Sequence, residues 1–352
     1  MIQPMPDLHT EPGSDDLVAA RNGDEIAFDR VFGPHHRELH VHCYRMLGSL
    51  DDADDAMQET SLRAWRHLGS YQPTAPLRAW LYRIATNVCL TALQHRTRRH
   101  EIPNSALATT DADGNSTERD IEHMRLDPYP DHLLDELTTA VPGPESRVEL
   151  NESIELAFVS AVQLLPARQR AALLLRDVIG YPANDVANLL ETSTASINSA
   201  LQRARATLKQ HREFGPVTRE HRPASSETEQ DLVRKLMTAW ESANIPAVVA
   251  TLTEDALLTM PPGPGRYVGR DAISQFLATI RDSGLDQFRF FPTRANRQPA
   301  LATYGRYGGE GPFTAHAILV LAMEGSAIAS IVRLGDEKLV AAFGFPQIYP
   351  ET

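Results

Sequence analysis

Two segments of this chain, more than a hundred residues apart, carry the same apolar spacing. Leu77, Leu81, Ile84 and Val88 stand four, three and four residues apart, and so do Ile197, Leu201, Ala204 and Leu208. That period places each set on one face of an α-helix. The other faces of the first helix carry Arg78, Arg83 and Asn87, and then Arg96, Arg98 and Arg99. Those of the second carry Thr194, Ser196, Asn198, Ser199, Gln202, Arg203 and Arg205. A helix that packs one face and offers arginines and short polar side chains on the others suits a polyanion.

The whole chain looks like a poor partner for one, with a formal net charge of −12 over 352 residues. The charge is unevenly spread, however. Residues 61–100 hold seven arginines and no acid, residues 101–150 hold twelve acids and three arginines, and residues 161–212 hold seven basic residues against three acids. Nucleic-acid binding follows the local field and not the total, so two basic blocks divided by an acidic one keep that function open.

The pattern divides the chain into five parts. Residues 14–100 read as helices, with Ser14 and Asp51 as N-caps and Gly69 as a stop; Met57, Ala64, Trp65 and Leu68 form an inner face. Residues 101–145 are acidic and polar, a linker in composition, although "PYPDHLLDEL" is too apolar for a pure spacer. Residues 146–212 are helical again. Gly180 and Pro182 interrupt them, as does "ETSTAS", within which Thr192 or Ser193 can cap the last helix. Residues 213–227 form a second linker. From 228 to 350 the period changes: "ALLTMPP", "FRFFPTRAN", "FTAHAILVLAM" and "AIASIVRL" read as strands, and "DLVRKLMTAWES" and "GRDAISQFLATI" as helices. The fold class is multidomain: two all-α modules, the second a helix-turn-helix, followed by an α+β domain.

With 42% hydrophobic residues the chain can build real cores. The N-terminus has neither a basic start nor an apolar run, and no stretch reaches the length of a membrane span, so a soluble cytoplasmic protein is expected. Cys43 and Cys89 lie in apolar helical patterns and read as buried free thiols.

The segments "DDADDAMQETSLRAWRHLGSYQP" and "LRAWLYRIATNVCLTALQHRTRR" resemble region 2 of bacterial sigma factors of the extracytoplasmic-function group. "LPARQRAALLLRDVIGYPANDVANLLETSTASINSALQRARATLK" resembles region 4 of the same group. The resemblance covers about residues 15–210 in the right order. It implies that Asp51, Asp52, Asp54, Asp55 and Glu59 open a helix that docks on core RNA polymerase. It implies further that Tyr71, Arg78, Arg83, Asn87, Arg96, Arg98 and Arg99 serve the minus-ten element of promoter DNA, and that the second helix reads the minus-thirty-five element. Thr91 and Gln94 stand where many relatives have Asp and Arg, which bears on promoter choice and not on class.

Residues 228–350 resemble SnoaL-like domains, through "MPPGPGRYVGRDAISQFLATI", "PTRANRQPALATY" and "AHAILVLAMEGSAIASIV". Such cones enclose an apolar pocket, which leaves room for a small-molecule ligand. Enzymes of that fold use a His/Asp pair. Here His316 lies on a strand pattern, while Asp255 and Asp271 lie near helix termini, and they make no convincing pair; no catalytic residue, metal or cofactor is expected. The chain thus reads as a sigma factor that partners core polymerase and promoter DNA, with no membrane partner, tuned in cis by its last domain. The alternative is a small-molecule isomerase or hydrolase tethered to a DNA-binding module; a plain helix-turn-helix repressor would leave residues 51–100 unexplained.

Overall fold

The computed structural model describes residues 14–72, 75–100, 126–135, 153–214, 221–223, 225–261, 263, 265–283, 285–308 and 311–349. Most of the linker, 101–125 and 136–145, therefore lies outside the described residues. The chain forms two units. One comprises residues 1–116, 133–153 and 161–214, and the other residues 117–132, 154–160 and 215–352.

The first unit is helical. Four helices make its N-terminal part: α1 (Ser14–Arg21), α2 (Glu25–Leu47), α3 (Leu50–His67) and α4 (Leu77–His100). The Asp24 carboxylate caps α2 by accepting from the Ala27 N–H at 3.0 Å. Gly48 ends it at φ 76°, a left-handed conformation that frees its N–H to bond Tyr44 O. The cap of α3 is Ser49 and not Asp51, which falls in the first turn, where a carboxylate still favours the positive end of the helix dipole. Ser14 likewise lies within α1. Helix α3 closes at His67 and a single 3₁₀ turn runs through Gly69. Leu77, Leu81 and Val88 are buried as their spacing demands, with Ile84 half-buried. Cys43 and Cys89 face each other across α2 and α4 as buried free thiols; a mutual hydrogen bond and then burial hold the Cys89 thiol far up.

Helix α5 (Leu156–Gln163) belongs to the other unit up to Ser160; the later helices of this one are α6 (Ala167–Leu173), α7 (Ala183–Leu189) and α8 (Thr194–Phe214). Helix α6 runs into a π turn, Leu174–Val178, closed by the Ile179 N–H on Leu174 O at 2.9 Å. Gly180 at φ 90° then reverses the chain. Ser193 caps α8 by accepting from the Ser196 N–H at 3.2 Å. Ile197, Leu201 and Ala204 are buried against α6 and α7.

The second unit is a curved sheet in the order β3-β2-β7-β6-β5-β4. Its strands are β1 (Arg222–Pro223), β2 (Leu252–Thr259), β3 (Arg266–Val268), β4 (Leu285–Ala295), β5 (Gln298–Tyr307), β6 (Phe313–Gly325), β7 (Ala327–Leu334) and β8 (Ile348–Tyr349). Neighbours along the main path pair antiparallel except β2 with β7, while β1 and β8 add to β6. Helices α9 (Ser226–Glu241), α10 (Ile245–Ala250) and α11 (Arg270–Asp282) cover one face, and α12 (Glu337–Ala342) packs on β6. Leu236, Leu252, Leu301, Leu321, Met323 and Ile328 form the core between sheet and helices. On β6 the register with β5 passes from Ala317 to Ala315 while β5 advances one residue, so His316 is the extra residue of a β-bulge.

Candidate nucleic-acid interface

Helix α8 presents its polar face to solvent. Ser196, Asn198, Gln202, Arg203 and Arg205 are exposed, and Thr194 and Ser199 half-exposed. Thr194 Oγ1 donates to Asn184 Oδ1 at 2.9 Å, tying the start of α8 to α7. Arg203 Nη1 donates to Ser199 Oγ at 2.7 Å, one turn back along the helix. Arg205 makes a two-pronged pair with Asp177, at 3.0 and 2.7 Å, and the Asp177 hydrogen bond raises its pKa. The open face is thus the N-terminal half of α8, preceded by a short turn from α7, as a helix-turn-helix requires for insertion into a major groove.

Helix α4 is different. Arg78 lies half-buried between Tyr82 and Tyr181, its guanidinium 5.0 and 5.8 Å from their ring centres. It donates to Glu38 at 2.9 and 2.8 Å, and Glu38 also accepts from Tyr82 Oη at 3.2 Å and meets His35 Nδ1 at 2.8 Å. Burial alone would raise the Glu38 carboxyl, but the His35 hydrogen bond and the Arg78 charge prevail and hold it at about 2. Arg83 pairs with Glu191 at 2.5 Å, and Glu191 occupies the helix-turn-helix turn at φ 50°. Tyr82 and Tyr181 rings meet edge to face with centres 5.9 Å apart. Asn87 is half-buried. Tyr71 is 4% exposed, its ring 5.3 Å from Trp80 and its hydroxyl donating to Ala75 O. Arg96 reaches Asp52 and Leu47 O. Arg98 and Arg99 belong to the last turn of α4, outside the residues whose side chains are described.

The α3 acids are also partly engaged. Besides Asp52, Asp54 meets His40 Nε2 at 2.9 Å and Glu59 pairs with Arg63 at 2.5 Å; Asp51 and Asp55 are exposed.

Sequence reasoning missed the residues that hold the helical modules together. Arg170 of α6 is buried, donating to Met46 O at the end of α2, to Gln163 Oε1 and O at 2.6 Å each, and to Leu165 O at 3.1 Å. Burial, and then Arg96, lower its pKa to about 10. Arg45 of α2 donates to Ser153 O at 3.0 Å and to its hydroxyl at 2.6 Å. The available signal was an arginine inside an otherwise apolar helical stripe, in "HCYRML" and again in "ARQRAAL".

The linker segment that reads as more than a spacer includes a strap. Within the second unit, Leu126–Asp131 lies on the β4–β5 hairpin. Tyr129 is fully buried; its N–H donates to Asn296 Oδ1 and its carbonyl accepts from Asn296 N–H, both at 2.8 Å. Asp131 accepts from the Arg297 N–H at 2.8 Å. Asn296 and Arg297, at φ 55° and 61°, make the two-residue turn of the hairpin, and Asn296 Nδ2 also holds Ile154 O at 2.7 Å. A relay of charge continues inward: Arg294 lies 3.4 Å from Asp131 and 2.5 Å from Glu229, and Glu229 lies 3.2 Å from His221. The composition of "PYPDHLLDEL" sets this segment apart from a spacer, and its seat on the hairpin is what sequence did not reveal.

In the cone, His316 lines the cavity, but Asp255 does not lie near a helix terminus as expected: it is exposed on β2. Asp271 is exposed in the first turn of α11, which Gly269 caps. Neither lines the cavity that holds His316.

Three family models match in order: sigma-70 region 2 over residues 31–99, sigma-70 region 4 over 155–208, and a SnoaL-like domain over 233–340. The ECF RNA polymerase sigma factor SigG of Mycobacterium tuberculosis (strain ATCC 25618 / H37Rv) is 40% identical over 328 residues, 93% of this chain and 85% of that relative. The chain belongs to the ECF sigma factors. Another relative, the ECF sigma factor SigM of Mycobacterium tuberculosis (strain ATCC 35801 / TMC 107 / Erdman), is 32% identical over 57% of this chain and 84% of its own length. The crystal structure of the ECF sigma factor SigJ of Mycobacterium tuberculosis shares the fold, with a TM-score of 0.57 at 18% identity, over 90% of this chain and 98% of that one. As an ECF sigma factor the protein binds core RNA polymerase and directs initiation at promoter DNA. Among the described residues no helix is long and apolar enough to cross a membrane.

Proposed function

We propose that this ECF sigma factor is folded in a resting state and that its SnoaL-like unit tunes its release in cis. In the working state the α3 acids Asp51, Asp52, Asp54, Asp55 and Glu59 meet core polymerase, α4 and the loop before it serve the minus-ten element, and α8 reads the minus-thirty-five element. Elements named ten and thirty-five lie about 25 base pairs apart, roughly 85 Å along duplex DNA. Here Tyr181 and Glu191 of region 4 touch Tyr82 and Arg83 of region 2 directly. The two modules must therefore part before both elements are engaged.

The observation that carries regulation in cis is the strap. The covalent link between regions 2 and 4 includes Leu126–Asp131, and that stretch is hydrogen-bonded into the hairpin of the C-terminal sheet. Release of the strap lengthens the tether available to the two modules; retention shortens it. The C-terminal unit acts in this scheme as a regulator and not as a catalyst, which suits a cavity whose histidine accepts from an arginine and has no carboxylate beside it among the described residues.

The test is run-off transcription with core polymerase, comparing the full chain, the Asn296→Ala variant and a chain ended after residue 214. Both alterations should change output severalfold on one promoter. Identical output from all three would remove cis regulation from the account. Failure of the full chain to assemble with core polymerase would remove the assigned residue roles.

A further inference from the structure

Helix α8 carries two arginines on opposite flanks of its polar face. Arg203 stands four residues after Ser199 and seven after Ser196, and Arg205 three after Gln202 and seven after Asn198. Side chains at those spacings share one flank of a helix, so each arginine lies in line with residues of the open face. Their partners differ. Arg203 Nη1 donates to Ser199 Oγ at 2.7 Å and so stays on the open face. Arg205 leaves it: Nε and Nη2 donate to the two carboxylate oxygens of Asp177, at 3.0 and 2.7 Å. Asp177 lies in the π turn that follows α6, and α6 packs against the buried side of α8. The guanidinium is therefore drawn from the polar face toward the packed one.

The pairing is two-pronged and charge-assisted, the stronger kind of ion pair. The Arg205 side chain is 59% exposed and that of Asp177 28%, so the pair sits at the surface and its charge is felt there. Taken together the two groups are neutral. The logarithm of DNA affinity falls with the logarithm of salt by about 0.9 for each phosphate that a protein cation neutralises. Arg203 supplies such a cation. Arg205 with Asp177 supplies none. While the guanidinium stays on the carboxylate it displaces no counterion, and if it swings to a phosphate it uncovers an acid beside a polyanion.

We propose that Asp177 is a positioning residue of the DNA interface: it withholds Arg205 from the phosphate backbone and so limits the sequence-independent grip of α8. A phosphate contact carries no sequence information, so withholding one lowers affinity for all duplexes alike. Arg205 in this scheme is a restrained group and not a phosphate ligand. The inference rests on α8 as the helix that faces DNA.

The experiment is binding of the full-length protein to a fluorescent duplex of about 20 base pairs and mixed sequence, read by anisotropy from about 50 to 200 mM salt. Asp177→Asn keeps the shape and removes the charge. It should tighten binding severalfold at the lower salt and steepen the salt slope by about one. Asp177→Glu should keep the wild-type slope. Arg205→Gln, alone or with Asp177→Asn, should leave the slope unchanged. Arg203→Ala, run beside them, should lower it by about one. If Arg203→Ala acts, an unchanged slope for Asp177→Asn or a lowered one for Arg205→Gln overturns the proposal and leaves α8 as the DNA helix. If Arg203→Ala has no effect, the reading of α8 falls and the proposal with it. Should Asp177→Asn lose the native circular dichroism, the slopes of wild type and Arg205→Gln decide alone.

Discussion

Helices α4 and α8 share one apolar spacing and one kind of polar face, yet α8 offers that face to solvent and α4 has two of its arginines engaged by other side chains. On α8, Asn198, Gln202 and Arg203 are exposed. On α4, Arg78 is stacked under Tyr181 and paired with Glu38, and Arg83 is paired with Glu191. Of these groups Tyr181 and Glu191 come from region 4, and Glu38 from α2 of region 2. Sequence period therefore sets which side of a helix is wet or dry in isolation, and tertiary partners decide whether a wet side is available.

The sharpest way to break this contrast is to remove what ties the modules together. Arg170→Met strands several buried carbonyls at once and should cost about 3 kcal/mol or more of stability, read by urea denaturation. Next is Glu38→Gln, which leaves Arg78 half-buried without its counter-charge and should cost about 2 kcal/mol at pH 7. The sign with pH is fixed. A carboxyl held at about 2 against an ordinary 4.5 contributes fully above 4.5 and loses its contribution as pH falls through 2, so wild type and variant should converge across that window.

His42 adds to the same acid sensitivity. It is buried against Thr86, and burial holds it at about 3 against an ordinary 6.5. The unfolded chain then binds the extra proton between those values, so stability should already fall as pH drops below 6.5, measurable by thermal melts from pH 8 to pH 4.

Smaller effects sharpen the contrast. Tyr181→Ala should uncover Tyr82 and Arg78 and raise binding of a single-stranded minus-ten oligonucleotide a few-fold, by fluorescence anisotropy. Arg203→Ala on the open helix should weaken duplex binding alike for all sequences and lower the salt slope by about one. Smallest of all, Glu191→Ala removes an exposed ion pair and should change stability by no more than about 0.5 kcal/mol.

Much of the fold was legible because its signals are local. The stripe Ile197, Leu201 and Ala204 and the strands from "FTAHAILVLAM" and "AIASIVRL" follow from period alone. The Asp51 cap was misplaced because Ser49 and the acids after it offer similar oxygens within one turn. Asp255 was misplaced because β2 carries polar residues in its first half, so the strand is shorter in pattern than in hydrogen bonds. The direction of His316 depends on a bulge, and a bulge is a relation between two strands that alternation on one cannot reveal. The seat of the strap and the roles of Arg45 and Arg170 were hidden for the same reason: their partners lie 167, 108 and 124 residues away.

That first separation has a consequence in time. Tyr129 leaves the ribosome 167 residues ahead of Asn296. At about 5–20 residues per second the interval is on the order of ten seconds or more. In its second half, once residue 208 has been added, both helical modules already exist as polypeptide, while the Asn296 that fastens the strap has yet to be synthesised. Each newborn molecule thus passes through an unfastened age before its last strands arrive.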